Sequence, residues 1–224
     1  MITYKRAAPL SSRLLLYFCL LILLTPTLTG KNIKTVSSSL KKIQSLTGSF
    51  KQESFNLLQG KSTVSEGSFA FKQPSLMKWI YEKPDDLVII VGLDKIWIYD
   101  PLLENVTIQN KKAIKEISSL SFLFEPDALG ENYTETNPEK SFLTVNDQEI
   151  QYYLIPKNPD PNIKELQIAI NRESQLIKQF IIIDKQLNYR KVTLLNLDSQ
   201  SIIGDSKFEF KIPENVEVID KSNH

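Results

Sequence analysis

The stretch Ser75–Pro101, "SLMKWIYEKPDDLVIIVGLDKIWIYDP", decides the fold. Three short apolar runs, Leu76–Tyr81, Leu87–Val91 and Lys95–Tyr99, are separated by the turn signals "KPDD" and "GLD". Runs of this length, rich in aromatic and β-branched residues, read as strands joined by tight turns. Side chains alternate in direction along a strand. Met77, Trp79 and Tyr81 therefore share one face, with Lys78 and Glu82 on the other. The charged face belongs in water, so the aromatic face points inward. In the preceding "EGSFAFK", Phe69 and Phe71 share a face opposite Glu66 and Lys72 and point inward by the same reasoning. "KIWIYD" lacks that asymmetry: Trp97 and Tyr99 go with Lys95, and Ile96 and Ile98 with Asp100. The reading adopted turns Trp97 and Tyr99 inward.

The same texture runs outward from this stretch. "SFKQESFNL" alternates like a strand, and Gly60 and Gly67 bracket a turn region after it. Further strands are expected at Val106–Gln109, Gln151–Ile155, Lys164–Ile170, Ile177–Asp184, Tyr189–Leu197 and Lys207–Ile212. Their repeat of about eight to twelve residues indicates consecutive antiparallel pairing, not βαβ units. Two segments have helical spacing instead. Ile33, Val36, Leu40 and Ile43 form one stripe, stopped by Thr47 and Gly48. Ala113, Ile117, Leu120 and Phe124 form another in "KKAIKEISSLSFLFEPD", and the polar stretch after it reads as a loop. One antiparallel sheet can bury one face and wet the other. Two helices laid across its concave face would close a flattened barrel with an apolar interior.

The N-terminus has a different character. "MITYKRAAPLSSR" carries Lys5, Arg6 and Arg13 and no acid, and the eleven apolar residues Leu14–Leu24 and "TPTLTG" follow. This is the layout of a cleaved secretory signal, with cleavage expected after Thr29. Eleven residues are too few for a bilayer span, which needs roughly 20. Cys19 lies inside the apolar run behind Tyr17 and Phe18, without the small residues of a lipidation box, and reads as filler. Residues 1–29 are thus expected to be a signal peptide, and 30–224 a single domain exported across a membrane.

Composition then narrows the chemistry. Loss of three bases takes the formal charge from +1 to −2, which gives no footprint for nucleic acid. The mature part has no cysteine, and its one histidine is the terminal His224. Histidine-based triads, thiol nucleophiles and histidine or cysteine metal sites fall away. The acids Glu82, Asp85, Asp86, Asp94 and Asp100 sit in turns or on charged strand faces, where solvated carboxylates are ordinary. Neither an enzyme nor a cofactor or metal is expected, and nothing marks a self-complementary surface, so a monomer is. The aromatics are either a plain core or the lining of a cavity for an apolar ligand. Periodicity does not separate the two.

The run Pro74, Trp79, Tyr81, Pro84, Gly92, Trp97, Tyr99, Pro101 and Val106–Thr107 resembles the LolA family of periplasmic outer-membrane lipoprotein carriers. "LTGSFKQ", "SEGSFAFKQP" and "FKIPENVEVID" agree with it in order, so the resemblance covers Lys31 to Asp220. It implies a mainly β fold: a curved, incomplete antiparallel β-barrel (half-barrel) with an α-helical lid enclosing an apolar cavity. It implies a chaperone that takes lipoproteins from an inner-membrane ABC lipoprotein-release complex, shields their acyl chains and delivers them to an outer-membrane lipoprotein receptor. A related carrier of another apolar cargo, such as a glycolipid or lipid intermediate, would have the same sequence features. A sensor of mislocalised lipoprotein on this fold usually carries a second domain. The cavity is expected to be lined on the sheet side by Phe69, Phe71, Met77, Trp79, Tyr81, Trp97 and Tyr99, and on the lid side by Ile33, Val36, Leu40, Ile117, Leu120 and Phe124. Members often carry an arginine just before the motif's proline, where it bonds to the lid and keeps the empty carrier closed. Here that lid-control position is Gln73, which lacks the charge and the five-donor fork.

Overall fold

The computed structural model describes residues 32–113 and 126–222. The expected signal peptide, and Ile117, Leu120 and Phe124 of the expected lid, lie outside them. In chain order the elements are α1 (Ile33–Leu40), β1 (Ser45–Asn56), β2 (Lys61–Lys72), β3 (Leu76–Lys83), β4 (Leu87–Val91), β5 (Lys95–Asp100) and β6 (Asn105–Asn110). Then come α2 (Pro126–Asn132), β7 (Tyr133–Glu135), β8 (Glu149–Pro156), β9 (Glu165–Asn171), β10 (Ile177–Ile183), β11 (Tyr189–Asp198) and β12 (Glu217–Lys221). The fold is mainly β: the described residues form one open curved sheet of twelve strands in the order β12-β6-β5-β4-β3-β2-β1-β11-β10-β9-β8-β7.

The expectation of consecutive antiparallel strands holds within two runs, β1 to β6 and β7 to β11. The runs are joined by pairing of β1 with β11, with Phe50 opposite Leu194 and Phe55 opposite Tyr189. At the far edge β12 runs parallel to β6, with Val218 opposite Val106, which departs from an all-antiparallel sheet. The expected strand Lys207–Ile212 is instead a 3-10 turn over Asp205–Phe208 and an extended segment after it.

Two glycines explain how so long a sheet bends. Gly67 lies inside β2, not at the end of a turn, and the β2–β3 register shifts between Glu66 and Gly67. A Cβ there would stand 1.9 Å from the Ile80 carbonyl oxygen and 2.9 Å from the Phe50 ring. Gly48, expected to end the helix, lies in β1 beside a register shift in the β1–β11 pair. Its Cβ would meet the Leu195 carbonyl oxygen at 2.7 Å. Such bulges bend a strand and increase its twist. Helix α1 stops earlier than expected, at Leu40, so Ile43 sits in the connection to β1.

The main core lies on the inner face of the sheet. Phe50, Met77, Trp79, Val91, Ile96, Leu154, Leu166, Ile168, Phe180, Val192 and Leu194 pack there with Ile33, Val36 and Leu40 of α1 and Leu129 of α2. The helix α2, read from sequence as loop, starts on Pro126 with Asp127 in its first turn, both favourable at a helix N-terminus. Its last carbonyls, of Gly130 and Glu131, accept bonds from Lys157 Nζ at 3.1 and 2.7 Å.

Two chain segments cover parts of the outer face. The fully buried Gln167 accepts from Phe142 N–H at 2.9 Å and donates to the Lys140 carbonyl at 2.8 Å, and Gln179 accepts from Thr144 N–H at 2.7 Å. These amides serve the segment as a neighbouring strand would. Farther along the sheet, Ile203 and Phe208 form a small second core with Ala70 and Leu76. Lys72 Nζ ties this segment down, bonding the Ile203 carbonyl at 2.7 Å and Asp205 at 2.5 Å.

Candidate functional site: an apolar cavity on the inner face

The inner face carries a row of stacked rings. Phe50 lies over Trp79 with centroids 4.3 Å apart, Phe69 stacks on Trp79 at 5.3 Å, and Tyr81 meets Phe50 edge-on at 5.1 Å. Strand register produces the row: Phe69 pairs with Trp79 across β2–β3, and Phe50 stands opposite Gly67, whose missing side chain leaves the ring room. Beside the row is a cavity of about 40 Å³ lined by Leu40, Ile43, Leu46, Phe69, Phe71, Met77, Trp79, Ile177 and Leu194. Its walls come from the helix end, both runs of strands and the connection between α1 and β1.

The expected cavity residues divide accordingly. Leu40, Phe69, Phe71, Met77 and Trp79 line the cavity. Ile33 and Val36 share the core without lining it, and Tyr81 is half-buried against that core. Trp97 and Tyr99 are corrected: Ile96 and Ile98 are the members of β5 that join the inner core. Trp97 faces outward, where a Cβ on Gly92 would come within 2.6 Å of its ring and Phe208 lies beside it in a groove of about 280 Å³. Tyr99 packs on Phe210 at 5.6 Å. The C-terminal segment supplies the outer-face burial that two large aromatics require. Sequence reasoning missed Ile43, Leu46, Phe50, Ile177 and Leu194 as parts of this site. Alternation gives each a face, but the β1–β11 pairing that brings Ile177 and Leu194 to Phe69 has no local signal.

Polarity changes along β3. Past Trp79, the Tyr81 hydroxyl donates to Gln52 Oε1 at 3.2 Å, and Gln52 Nε2 donates to Ser54 Oγ at 3.1 Å. Burial raises the Tyr81 pKa, with the Arg190 charge acting against it, so the phenol stays protonated at neutral pH. Arg190 also lines a polar groove of about 470 Å³ with Asn56, Lys61, Asn162 and Asp184. Among the described residues the buried Gln73 Nε2 has no hydrogen-bond partner, and the buried Trp79 Nε1 has none but a poorly aligned contact with the Tyr81 hydroxyl. The helices are tied by slender means. Lys41 of the α1 end meets Asp127 of α2 at 2.5 Å with both side chains more than half exposed, and Ile33 N–H donates to Glu135 Oε1 at 2.6 Å. Among the described residues no group of three His, Cys, Asp or Glu could hold a metal ion, and no helix is long and apolar enough to cross a membrane.

An open, curved, mainly β sheet with its apolar face turned in on a cavity defines a binding module. The sequence profile described as "Outer membrane lipoprotein carrier protein LolA" matches residues 41–211, and the chain belongs to this family. It is similar to the outer-membrane lipoprotein carrier protein of Francisella tularensis subsp. tularensis (strain WY96-3418), 28% identical over 184 residues, 82% of this chain and 85% of the relative. It is similar to the protein of that name from Azotobacter vinelandii, 23% identical over 190 residues, 84% of this chain and 88% of the relative. Among solved structures it is similar to an uncharacterized conserved protein from Thermus thermophilus, with TM-score 0.52, 9% identity, and coverage of 84% of this chain and 98% of that one. That likeness is one of fold.

Proposed function

We propose that this protein is a periplasmic chaperone that carries lipoproteins by their acyl chains, with no catalytic step and no cofactor. The observation that carries the reading is an inner face without charge around the cavity, in a chain of the LolA family. Exposing an acyl chain costs about 0.8 kcal/mol per methylene, so a carrier must hide it. Release demands adaptable apolar contacts in place of directional ones. Helices α1 and α2 act as the lid, together with the segment holding Ile117, Leu120 and Phe124. Phe69, Phe71, Met77, Trp79 and Tyr81 form the sheet side, and Ile33, Val36 and Leu40 the lid side. Gln73, whose side-chain nitrogen is buried without a partner, is the lid-control position. The donor is an inner-membrane ABC release complex, the acceptor an outer-membrane receptor, and the carrier works as a monomer after losing its signal peptide.

The test is native mass spectrometry of protein purified from its own periplasm, with extraction of whatever is bound. A bound acylated protein is the expected result. A free glycolipid or other small lipid would retain the apolar site but transfer the function to another cargo. Empty protein that also fails to take up lipopeptide would overturn the reading.

A further inference from the structure

The inner face turns cationic toward the end of the sheet where the β1–β2 and β10–β11 turns lie. Arg190 alternates with Val192 and Leu194, both buried in the inner core, and stands between Ser54 of β1 and Ile182 of β10. Lys61 is opposite Asn56, two residues beyond Ser54, so it belongs to the same face. Both cations line the groove of about 470 Å³ between the two turns. The acid of that groove, Asp184, serves its own turn: its carboxylate accepts from Gln186 N–H at 2.9 Å, Asn188 N–H at 2.9 Å and Asn188 Nδ2 at 2.8 Å. Among the described residues neither Lys61 nor Arg190 meets an acid within ion-pair distance. The groove also continues the strip of inner face that begins at the apolar cavity. Leu194 lines the cavity, and Arg190 is four residues away on the same strand, about 13 Å at 3.3 Å per residue. Val192 and Gln52 pair between them, and the Arg190 charge reaches the Tyr81 phenol beside Gln52. One end of the strip is apolar and the other carries two positive charges.

Resting on the carrier reading above, we propose that Lys61 and Arg190 form a site for an anionic group, a phosphate or a carboxylate, in the polar head of the acylated cargo. The tail lies at Leu194 and Met77, the chain follows β11, and the head reaches the groove between the two turns. The guanidinium fork matches a pair of anion oxygens, and the ammonium adds a point charge from the far side of β1. The two backbones are two strand spacings apart, about 10 Å, which side chains of this length can bridge to one anion. The apolar wall ranks cargoes by tail length alone. The cationic end ranks cargoes of equal tail length by the charge of the head, and it fixes which end of the cargo leaves the cavity.

The test uses two pairs of amphiphiles on the full chain, below their micelle concentrations: lauroyl lysophosphatidic acid against monolauroylglycerol, and N-lauroyl-aspartate amide against N-lauroyl-asparagine amide. Within each pair the tail is the same and the head differs in charge. Two partly solvated cations predict about a three- to thirtyfold preference for the anion in at least one pair, falling as salt is raised. Preference for the phosphate alone identifies a lipid headgroup, preference for the aspartate alone a peptide carboxylate, and either supports the site. The double variant Lys61→Gln, Arg190→Gln should bring the ratio to about one. Lys78→Gln, which removes a cation from the outer face of β3, should leave the ratio as it is. A ratio that survives the double variant, or that Lys78→Gln lowers as much, reports net charge and overturns the proposal. Equal binding within both pairs overturns it and leaves the carrier reading standing, whereas wild-type protein that binds none of the four removes both.

Discussion

Replacing Gly67 by alanine tests whether the bend of the sheet makes the site. The added Cβ would lie 1.9 Å from the Ile80 carbonyl oxygen, 2.9 Å from the Ile80 carbonyl carbon and 2.9 Å from the Phe50 ring. Two of these neighbours are backbone, so β2 must move away from β3 where the register shifts. Overpacking costs typically 1–3 kcal/mol, and a clash with backbone on this scale belongs at about 3 kcal/mol or above. Gly60 supplies the comparison. It has φ +61 and open space around a Cβ, so alanine there meets left-handed strain alone, about 1 kcal/mol. In a domain of this size each kcal/mol moves Tm by about 2–4 °C. Gly67→Ala should therefore lower Tm by about 6–12 °C and Gly60→Ala by about 2–4 °C, read by thermal melts with urea midpoints at constant m-value. Gly67→Ala should also disturb the fluorescence of Trp79, because Phe50 loses its seat between Gly67 and the indole. An effect no larger than that of Gly60→Ala would refute the claim that close backbone approach, not conformational freedom, fixes glycine at 67.

Other expectations follow from the same contacts. Phe50→Ala empties the centre of the ring stack and should lower stability by about 3–5 kcal/mol in urea titrations, with Phe50→Leu well short of that. Glu135→Gln keeps an acceptor for Ile33 N–H but removes its charge, so amides of Val36–Leu40 should exchange about five- to tenfold faster while those of β9 and β10 hold their rates. The Tyr189 phenol donates to Glu53 at 2.7 Å, and that bond, then burial, pushes its pKa up to about 12 from 10.0. The unfolded chain thus loses this proton first, so the stabilisation is complete below pH 10 and disappears as pH rises to about 12. Tyr133, pushed up to about 12 chiefly by burial, shares the window. Tyr189→Phe should accordingly reduce the alkaline fall in urea midpoint without abolishing it.

The difference between Trp79 and Trp97 shows which residues were legible in the sequence. Lys78 and Glu82 flank Trp79 within the strand, so their charge assigns the face, and the ring is inward as read. Beside Trp97 the opposing signals are Lys95 and Asp100, the two ends of β5. A strand-end residue is exposed whichever face it belongs to, so its charge carries no information on direction. The outer face of β5 is moreover covered by Phe208 and Phe210, from more than a hundred residues later. Those same phenylalanines alternate in "KFEFKI" and imitate a strand, while the true last strand, Glu217–Lys221, has mostly exposed side chains and pairs parallel at an edge. Local pattern reports a segment's amphipathicity. It does not report the partner, and for this site the partner matters most, since Ile177 and Leu194 reach Phe69 through the β1–β11 seam.

The small cavity constrains any carrier mechanism. At about 40 Å³ it is far below the roughly 300–1,000 Å³ of pockets that hold sizeable ligands, so loading must displace something already packed. The inner strands are held by ladders on both sides, whereas α1 and α2 rest on Ile33, Val36, Leu40 and Leu129 with an exposed ion pair between them. Withdrawing those four side chains costs about 6–12 kcal/mol at 1.5–3 kcal/mol each, an upper bound because extended-chain areas overstate burial. An acyl chain gains about 0.8 kcal/mol per methylene removed from water, so about 8–15 methylenes balance the opening. Chains of membrane-lipid length lie at or beyond that balance and shorter ones below it. Closure of the empty carrier then recovers nearly what departure of the cargo loses. On the proposed carrier function, loading and release would then be near-isoenergetic, and the protein's own packing would set no direction.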